Sequence, residues 1–389
     1  MNGTTFAPFQ FRTFRLLWIA SLITNLGWQI QSVAAGWLMA SLSSSPATVA
    51  LVQAAVTFPL AILSMLGGVF ADNYERRTVM ILAQVFMLFM TISLAGLTWA
   101  ALISPWALLV FTFAIGCGVA MHLPSWQASV GDLVPRKHLP QAVMLNGMGF
   151  NLMRSVGPAV GGAIVAAFGA AVSFAINAAT YFPVLLALAS WKPERTPNFL
   201  PPEPLGSALG AGLRYVILSP DHVKIMLRGA VFGFSAVAAL ALMPLVARQL
   251  LQGTAITFGL ILTCFGAGAV TVALTLHRVR EKVETETIIR VSFLFLATGL
   301  MATALSKNVW ATGVAAGVTG MAWQSSMSLF NVATQLSTPR WVLGRAMSIL
   351  QVFTFGGMTL GSVTWGRVAT AAGLETALAL ASATCLLGA

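Results

Sequence analysis

Twelve apolar runs, separated by short polar breaks, fill the 389-residue chain, near 14–42, 47–71, 77–100, 105–130, 140–167, 170–191, 221–250, 254–276, 287–305, 308–335, 342–367 and 371–389. A helix needs about 20 residues to cross the hydrocarbon of a bilayer, where only segments that satisfy their own backbone hydrogen bonds survive. The pattern predicts an all-α integral membrane protein with twelve transmembrane helices. With 58% apolar and 8% charged residues, the chain holds more hydrocarbon than one water-soluble globule can bury.

The net charge of +11 would point to nucleic acid in a soluble protein. Here the basic residues fall in the gaps between apolar runs and form no basic face interleaved with aromatics, so nucleic acid is not expected as a partner. Alternate gaps hold Arg76 and Arg77; Arg136 and Lys137; Lys192, Arg195 and Arg214; Arg278, Arg280 and Lys282; Arg340 and Arg345. The opposite gaps hold Arg248, Lys307 and Arg367. That asymmetry predicts both termini on the cytoplasmic side. Arg12 and Arg15 precede a first run that is too long for a signal peptide and lacks a small-residue cleavage site, so it reads as a retained span. Cys117, Cys264 and Cys385 each sit alone in an apolar run and read as packing residues, not metal ligands. No cofactor is expected.

The stretch "KPERTPNFLPPEPLGSALG", 192–210, contains five prolines and is the one linker-like segment. It predicts a six-helix bundle at 1–191, a cytoplasmic linker at 192–220 and a second bundle at 221–389. The chain ends inside the twelfth run without a basic tail, which reads as a truncated last helix. Sliding one half over the other by 204 positions (340 minus 136) pairs Pro135 with Pro339, Arg136 with Arg340, Gly116 with Gly320, Gly157 with Gly361 and Gly162 with Gly366. The halves read as pseudo-symmetric copies of one unit.

The segment "GGVFADNYERRTVMIL", 67–82, resembles the G-x-x-x-D-x-x-G-R-R signature between spans 2 and 3 of the major facilitator superfamily. The resemblance implies a gating cluster of Gly68, Asp72, Arg76 and Arg77, with Asp132 as the acidic partner, latching the outward-facing state and breaking when the inward side opens. Glu75 and Asn73 depart from the pattern, and the second half keeps little of it. The segment "LVPRKHLPQAVMLNGMGFNLMRSVGPAVGG", 133–162, is similar to loop 4–5 and span 5 of a bacterial branch of siderophore exporters and transmembrane secretion proteins. In "GPAVGG" Pro158 removes a helix hydrogen bond, while Gly157 and Gly161 permit close helix packing, as a hinge and leak barrier would require.

Polar residues recur on single helix faces: Asn25, Gln29 and Ser32; His122, Trp126 and Ser129; Gly147, Asn151 and Arg154; Gln324 with Asn331; Gln351 with Phe355. Their convergence would make an amide-rich, aromatic cavity, with Trp28, Trp37 and Trp323 adding rings. Any one amide could equally serve helix packing. Arg154 differs, because a charge at the bilayer centre costs about 2.5 to 3.5 kcal/mol on insertion scales. The ten acidic residues fall in gaps or at span ends, so Arg154 should meet an anionic substrate or backbone carbonyls. His122 is the candidate proton carrier, with Asp132 nearer the surface as the second. Trp18, Trp99, Trp106 and Trp310 read equally as interfacial anchors.

The expected function is secondary active export of a small, siderophore-like or drug-like molecule by proton antiport across the bacterial inner membrane. The expected partners are that small-molecule substrate, protons and the lipid bilayer, with the chain a monomer. An importer of the same fold is the alternative. A membrane enzyme or sensor would need a nucleophile with its base, or a metal cluster, and none converges; no Walker loop is present.

Overall fold

The computed structural model describes residues 6–192, 214–339 and 342–389, and leaves aside the side chains of 64–65 and 68–73. Most of the linker, Arg340, and the side chains of the expected gating residues Gly68 and Asp72 therefore lie outside what is described. The chain forms α1 (Arg12–Leu42), α2 (Pro46–Asn73), α3 (Arg76–Trp99), α4 (Pro105–Ser129) and a long α5 (Leu139–Ser190). It continues with α6 (Pro220–Ala241), which runs on through Met243–Leu245 and a π-helical turn at Val246–Leu250. Then come α7 (Ala255–Arg280), α8 (Thr285–Leu305), α9 (Val309–Ser337), α10 (Leu343–Ala372) and α11 (Leu374–Cys385).

Helix ends follow local chemistry. The Ser104 side chain accepts from Ala107 N at the start of α4, with Pro105 next, and Asn308 Oδ1 accepts from Trp310 N and Ala311 N at the start of α9. Thr254 and Thr257 form a capping box on α7. Gly169 (φ 81°) divides α5 into two limbs, and Gly373 (φ 92°) separates α10 from α11. Both occupy the left-handed region that glycine enters without penalty, and they stand 204 positions apart (373 minus 169), the repeat offset read from the sequence.

Among the described residues, eight helical segments are long and apolar enough to cross a membrane. Helices α1 and α9 are not among them, because polar residues lower their hydropathy: Asn25, Gln29, Gln31 and Ser32 on α1, and Gln324, Ser325, Ser326, Ser328 and Asn331 on α9. The two limbs of α5 count as one of the eight, and α11 spans only 12 residues.

Successive turns alternate between two ends. The upper end holds 43–45, 100–104, Gly169, 251–254, 306–308 and Gly373, and the lower end holds 74–75, 130–138 and 281–284. Trp99, Trp106 and Trp310 sit at the upper end and are 70 to 81% exposed, as an aromatic belt at a membrane interface requires. Trp18 instead donates from Nε1 to Leu145 O at 3.1 Å.

Lipid is as apolar as leucine, so helices associate in it through close packing rather than hydrophobic exclusion. Helix neighbours recur accordingly: α2 on α4 and α7 on α9, α1 on α5 and α6 on α10. Between residues before 191 and those after 220, α5 packs on α7 and α2 on α10. The paired glycines occupy matching places. Gly116 abuts α2 and Gly320 abuts α7; Gly157 rests on Gln29 of α1 and Gly361 on Phe234 of α6; Gly162 meets α7 and Gly366 meets α2.

Candidate functional site

A cavity of about 190 Å³ opens in the upper half, between α1, α2, α5, α6 and α7. Trp28, Gln29, Gln31 and Ser32 enter it from α1, Gln53 from α2, Arg154 and Pro158 from α5, and Phe258 and Phe265 from α7. Above it the two sets of helices meet directly. The Trp37 and Phe258 rings stack at 6.5 Å, Arg248 donates to Ala40 O at the end of α1, and Ala47 N donates to Thr370 Oγ1 at 3.1 Å.

Arg154 reaches this cavity from the limb of α5 that crosses α7. Its guanidinium carbon lies 5.4 Å from the Phe265 ring centroid and 5.6 Å from that of Trp323. Ring faces attract a cation by up to about 2 kcal/mol when desolvated, which lowers the cost of holding the charge there. Among the described residues the ion pairs are Arg76 with Asp132, and Glu286 with Arg228 and Arg290. Arg154 belongs to neither, so it is a cation in a cavity without a protein counter-ion among those residues.

The backbone beneath Arg154 is shaped for the crossing. Pro158 has no N–H to give the Arg154 carbonyl. That oxygen instead faces Gly266 of α7, where a Cβ would lie 2.6 Å away. At Gly259 a Cβ would lie 2.5 Å from Pro158 O, and at Gly162 one would lie 2.6 Å from Ala255 O. The Cα hydrogens aim at carbonyls, an arrangement common where membrane helices touch. Gly157 and Gly161 face the other way, onto Gln29 and Ile30 of α1.

The polar residues singled out in the sequence divide between two levels. Gln29, Ser32 and Arg154 line the cavity with Pro158, and Trp323 stands beside Arg154. Asn25, Asn151, Gln324, Asn331, Gln351 and Phe355 do not line it. Three of these amides bond within their own helices: Asn151 Nδ2 to Gly147 O at 2.9 Å, Asn331 Nδ2 to Met327 O at 2.7 Å, and Gln324 Nε2 to Ser328 Oγ at 3.1 Å. Trp126 is buried in a lower cluster with Phe14, Leu17 and Met80, and its Nε1 donates to Asn146 Oδ1 at 3.3 Å.

His122 also stands away from the cavity, its ring within 3.5 Å of Gln84 Nε2 on α3. Asp132 accepts from Arg76 Nη1 at 2.8 Å, and Arg76 also donates to Ala128 O. Arg77 donates to Leu188 O at 2.8 Å and Ala189 O at 3.0 Å, capping the C-terminus of α5. These contacts tie α3 to α4 and α5. The Arg76–Asp132 pair joins α3 to the end of α4, and both partners belong to the same set of helices.

The cavity-lining residues Gln31, Gln53, Phe258 and Phe265 carried no sequence signal. Gln31 lies two positions from Gln29, off the periodic stripe, and its polar partners come from distant helices. Its Oε1 accepts from Asn177 Nδ2 of α5 and, at 3.4 Å, from Thr91 Oγ1 of α3.

The transmembrane secretion effector family of the major facilitator type matches residues 3–389. The chain belongs to that family. The enterobactin exporter EntS of Salmonella typhimurium is 30% identical over 312 residues, covering 78% of this chain and 72% of the relative. The Bacillus subtilis transporter YfiS is 29% identical over 161 residues, and this match spans only 37% of its length. Among solved structures, the nucleoside transporter NupG has a TM-score of 0.74 at 12% identity, covering 97% of each chain. A bacterial homolog of the human lysosomal transporter Spinster, inward-facing and unoccupied, has a TM-score of 0.71 at 15% identity, covering 97% and 93%. The chain is thus a multi-pass transporter of the bacterial inner membrane with a major facilitator fold, and not an enzyme.

Proposed function

We propose that this family member exports a small, anionic or amphipathic aromatic molecule by alternating access, driven by proton antiport. The observation that carries the reading is Arg154: a cation between aromatic rings, in a cavity between the two sets of helices, with no ion-pair partner among the described residues. An anionic group on the substrate would complete it. The export direction draws on the 30% identity to EntS, itself an enterobactin exporter.

The mechanism takes the chain as twelve spans in two six-helix halves, 1–191 and 221–389, joined by a cytoplasmic linker at 192–220, with both termini inside. The glycine pairs at matching crossings support the two halves, and the basic residues at the lower end support that end as cytoplasmic. The upper end, closed by Trp37, Phe258 and Arg248, is then the outer gate of an inward-facing or occluded state. Drug-sized ligand sites measure about 300 to 1,000 Å³. A cavity of about 190 Å³ must therefore widen as the halves rock to carry a molecule of that size. His122 and Asp132 remain the candidate proton carriers, from outside the cavity.

Direction and charge are tested together in vesicles. Inside-out vesicles carrying the protein should accumulate a fluorescent aryl carboxylate when a proton gradient, acidic inside, is imposed, and Arg154→Gln should abolish this. Equal accumulation by Arg154→Gln would remove the anion-binding role. Accumulation in right-side-out vesicles energised in the physiological sense would reverse the direction.

A further inference from the structure

The cavity contains a second donor whose orientation is set from outside it. Gln31 is buried, yet it lines the cavity. Its oxygen is turned away, toward a polar network linking α1, α3 and the second limb of α5. Thr180 Oγ1 donates to Asn177 O at 2.7 Å and stands 3.2 Å from Asn177 Oδ1, while Asn177 Nδ2 donates to Gln31 Oε1 and, at 3.4 Å, to Tyr181 OH. Thr91 Oγ1 donates to the same Gln31 oxygen at 3.4 Å. Asn177 and Thr91 are fully buried, and neither lines the cavity.

With both donors on its oxygen, the Gln31 amide is fixed in one of its two orientations. Its Nε2 has no acceptor in the protein among the described residues, and it is not among the side-chain atoms sealed away without a partner. The nitrogen therefore opens on the cavity. A glutamine nitrogen brings two N–H donors and no acceptor, so the group it faces must be an acceptor.

We infer that Gln31 is a substrate-binding donor that acts with Arg154 on an oxygen acceptor of the substrate, and that Asn177 and Thr91 are positioning residues that hold its amide in the donating orientation. This rests on the anion reading of Arg154 given above and adds the polarity of the subsite. The space is that of one aromatic ring: a cavity of about 150 Å³ admits benzene, and this one measures about 190 Å³. Trp28, Phe258 and Phe265 supply walls for such a ring, so the ligand chemistry is an aryl group bearing a carboxylate, phenolate or carbonyl oxygen.

Benzoate, benzamide and benzylamine share one shape and differ in charge, and their binding to the purified full chain can be followed by titration calorimetry. Wild type should favour benzoate. Gln31→Met should weaken benzoate about tenfold, the weight of one hydrogen bond to a charged group, and leave benzylamine unchanged. Gln31→Glu should weaken it further. Thr91→Val should weaken benzoate in part, and Thr91→Ser should restore it, which a packing role for the methyl group would not produce. If both Gln31 variants bind benzoate like wild type while Arg154→Gln loses it, the inference fails and the reading of Arg154 stands. If wild type itself shows no preference for benzoate over benzylamine, the reading of Arg154 fails and this inference with it.

Discussion

Gly162 and Gly259 touch across the crossing of α5 and α7: a Cβ on Gly162 would lie 3.0 Å from Gly259 Cα, and one on Gly259 would lie 2.9 Å from Gly162 Cα. Nothing at that point can yield except backbone. A side chain at either position must separate the helices near the upper end, where the gate contacts lie. Gly162→Val and Gly259→Val are expected to open that end. In a background lacking the three native cysteines, a cysteine at Ala47 should react with an impermeant maleimide several-fold faster in either valine variant. Unchanged labelling would mean that the crossing does not control the gate.

Two adjacent arginines at the lower end should differ in what they contribute. The Arg76–Asp132 pair is partly open to solvent, at 34% and 45% side-chain exposure, and exposed pairs stabilise by about 0 to 1 kcal/mol. Arg77 instead holds the last carbonyls of α5, at Leu188 and Ala189, and hydrogen bonds from a charged donor contribute about 1.5 to 3 kcal/mol. Arg77→Ala should therefore lower the melting temperature in detergent clearly more than Asp132→Asn does. The opposite order would show that the ion pair, and not the helix cap, secures this corner.

These two cases also mark what a sequence alone can carry. The all-helical character was legible because apolar period is a local signal, and glycine spacing can be compared along the chain. The 204 offset read from Gly162 and Gly366 reappears as matching crossings and again in the left-handed Gly169 and Gly373. Arg154 was legible because a charge inside an apolar run is costly wherever it faces. Asn151 and Asn331 bond to carbonyls of their own helices, and spacing cannot separate that use from a ligand role, whereas Gln29 lines the cavity. Gln31 was invisible for the converse reason. Its partners Thr91 and Asn177 lie 60 and 146 residues away, and no periodicity connects them.

His222, near the start of α6, is buried and bonded on both ring nitrogens, to Ser219 Oγ and to Thr338 Oγ1, each at 2.8 Å. The Tyr215 ring meets it edge-on at 5.1 Å. This joins the beginning of α6 to the end of α9. Replacing it by Phe keeps the ring and removes both bonds, so His222→Phe should cost about 1 to 3 kcal/mol, read as a lower melting temperature. His222→Gln, which can still donate and accept, should recover part of that loss.

Charge and shape at position 154 can be separated by how each substitution treats the rings. Arg154→Lys keeps the positive charge but exchanges a planar, weakly hydrated group for a compact ammonium that gives up water less readily. Its affinity for an aryl carboxylate should fall by less than that of Arg154→Gln, which loses the charge altogether. Trp323→Leu leaves the guanidinium in place and removes one of the two ring faces near it, at 5.6 Å. Losing a desolvated cation–π contact weakens the hold on Arg154 by about 1 to 2 kcal/mol, which frees the side chain to move. Anion binding in Trp323→Leu should therefore weaken several-fold while the charge selectivity between benzoate and benzylamine persists. If Trp323→Leu reversed that selectivity, the ring rather than Arg154 would be setting it, and the charge would have to be reassigned to packing.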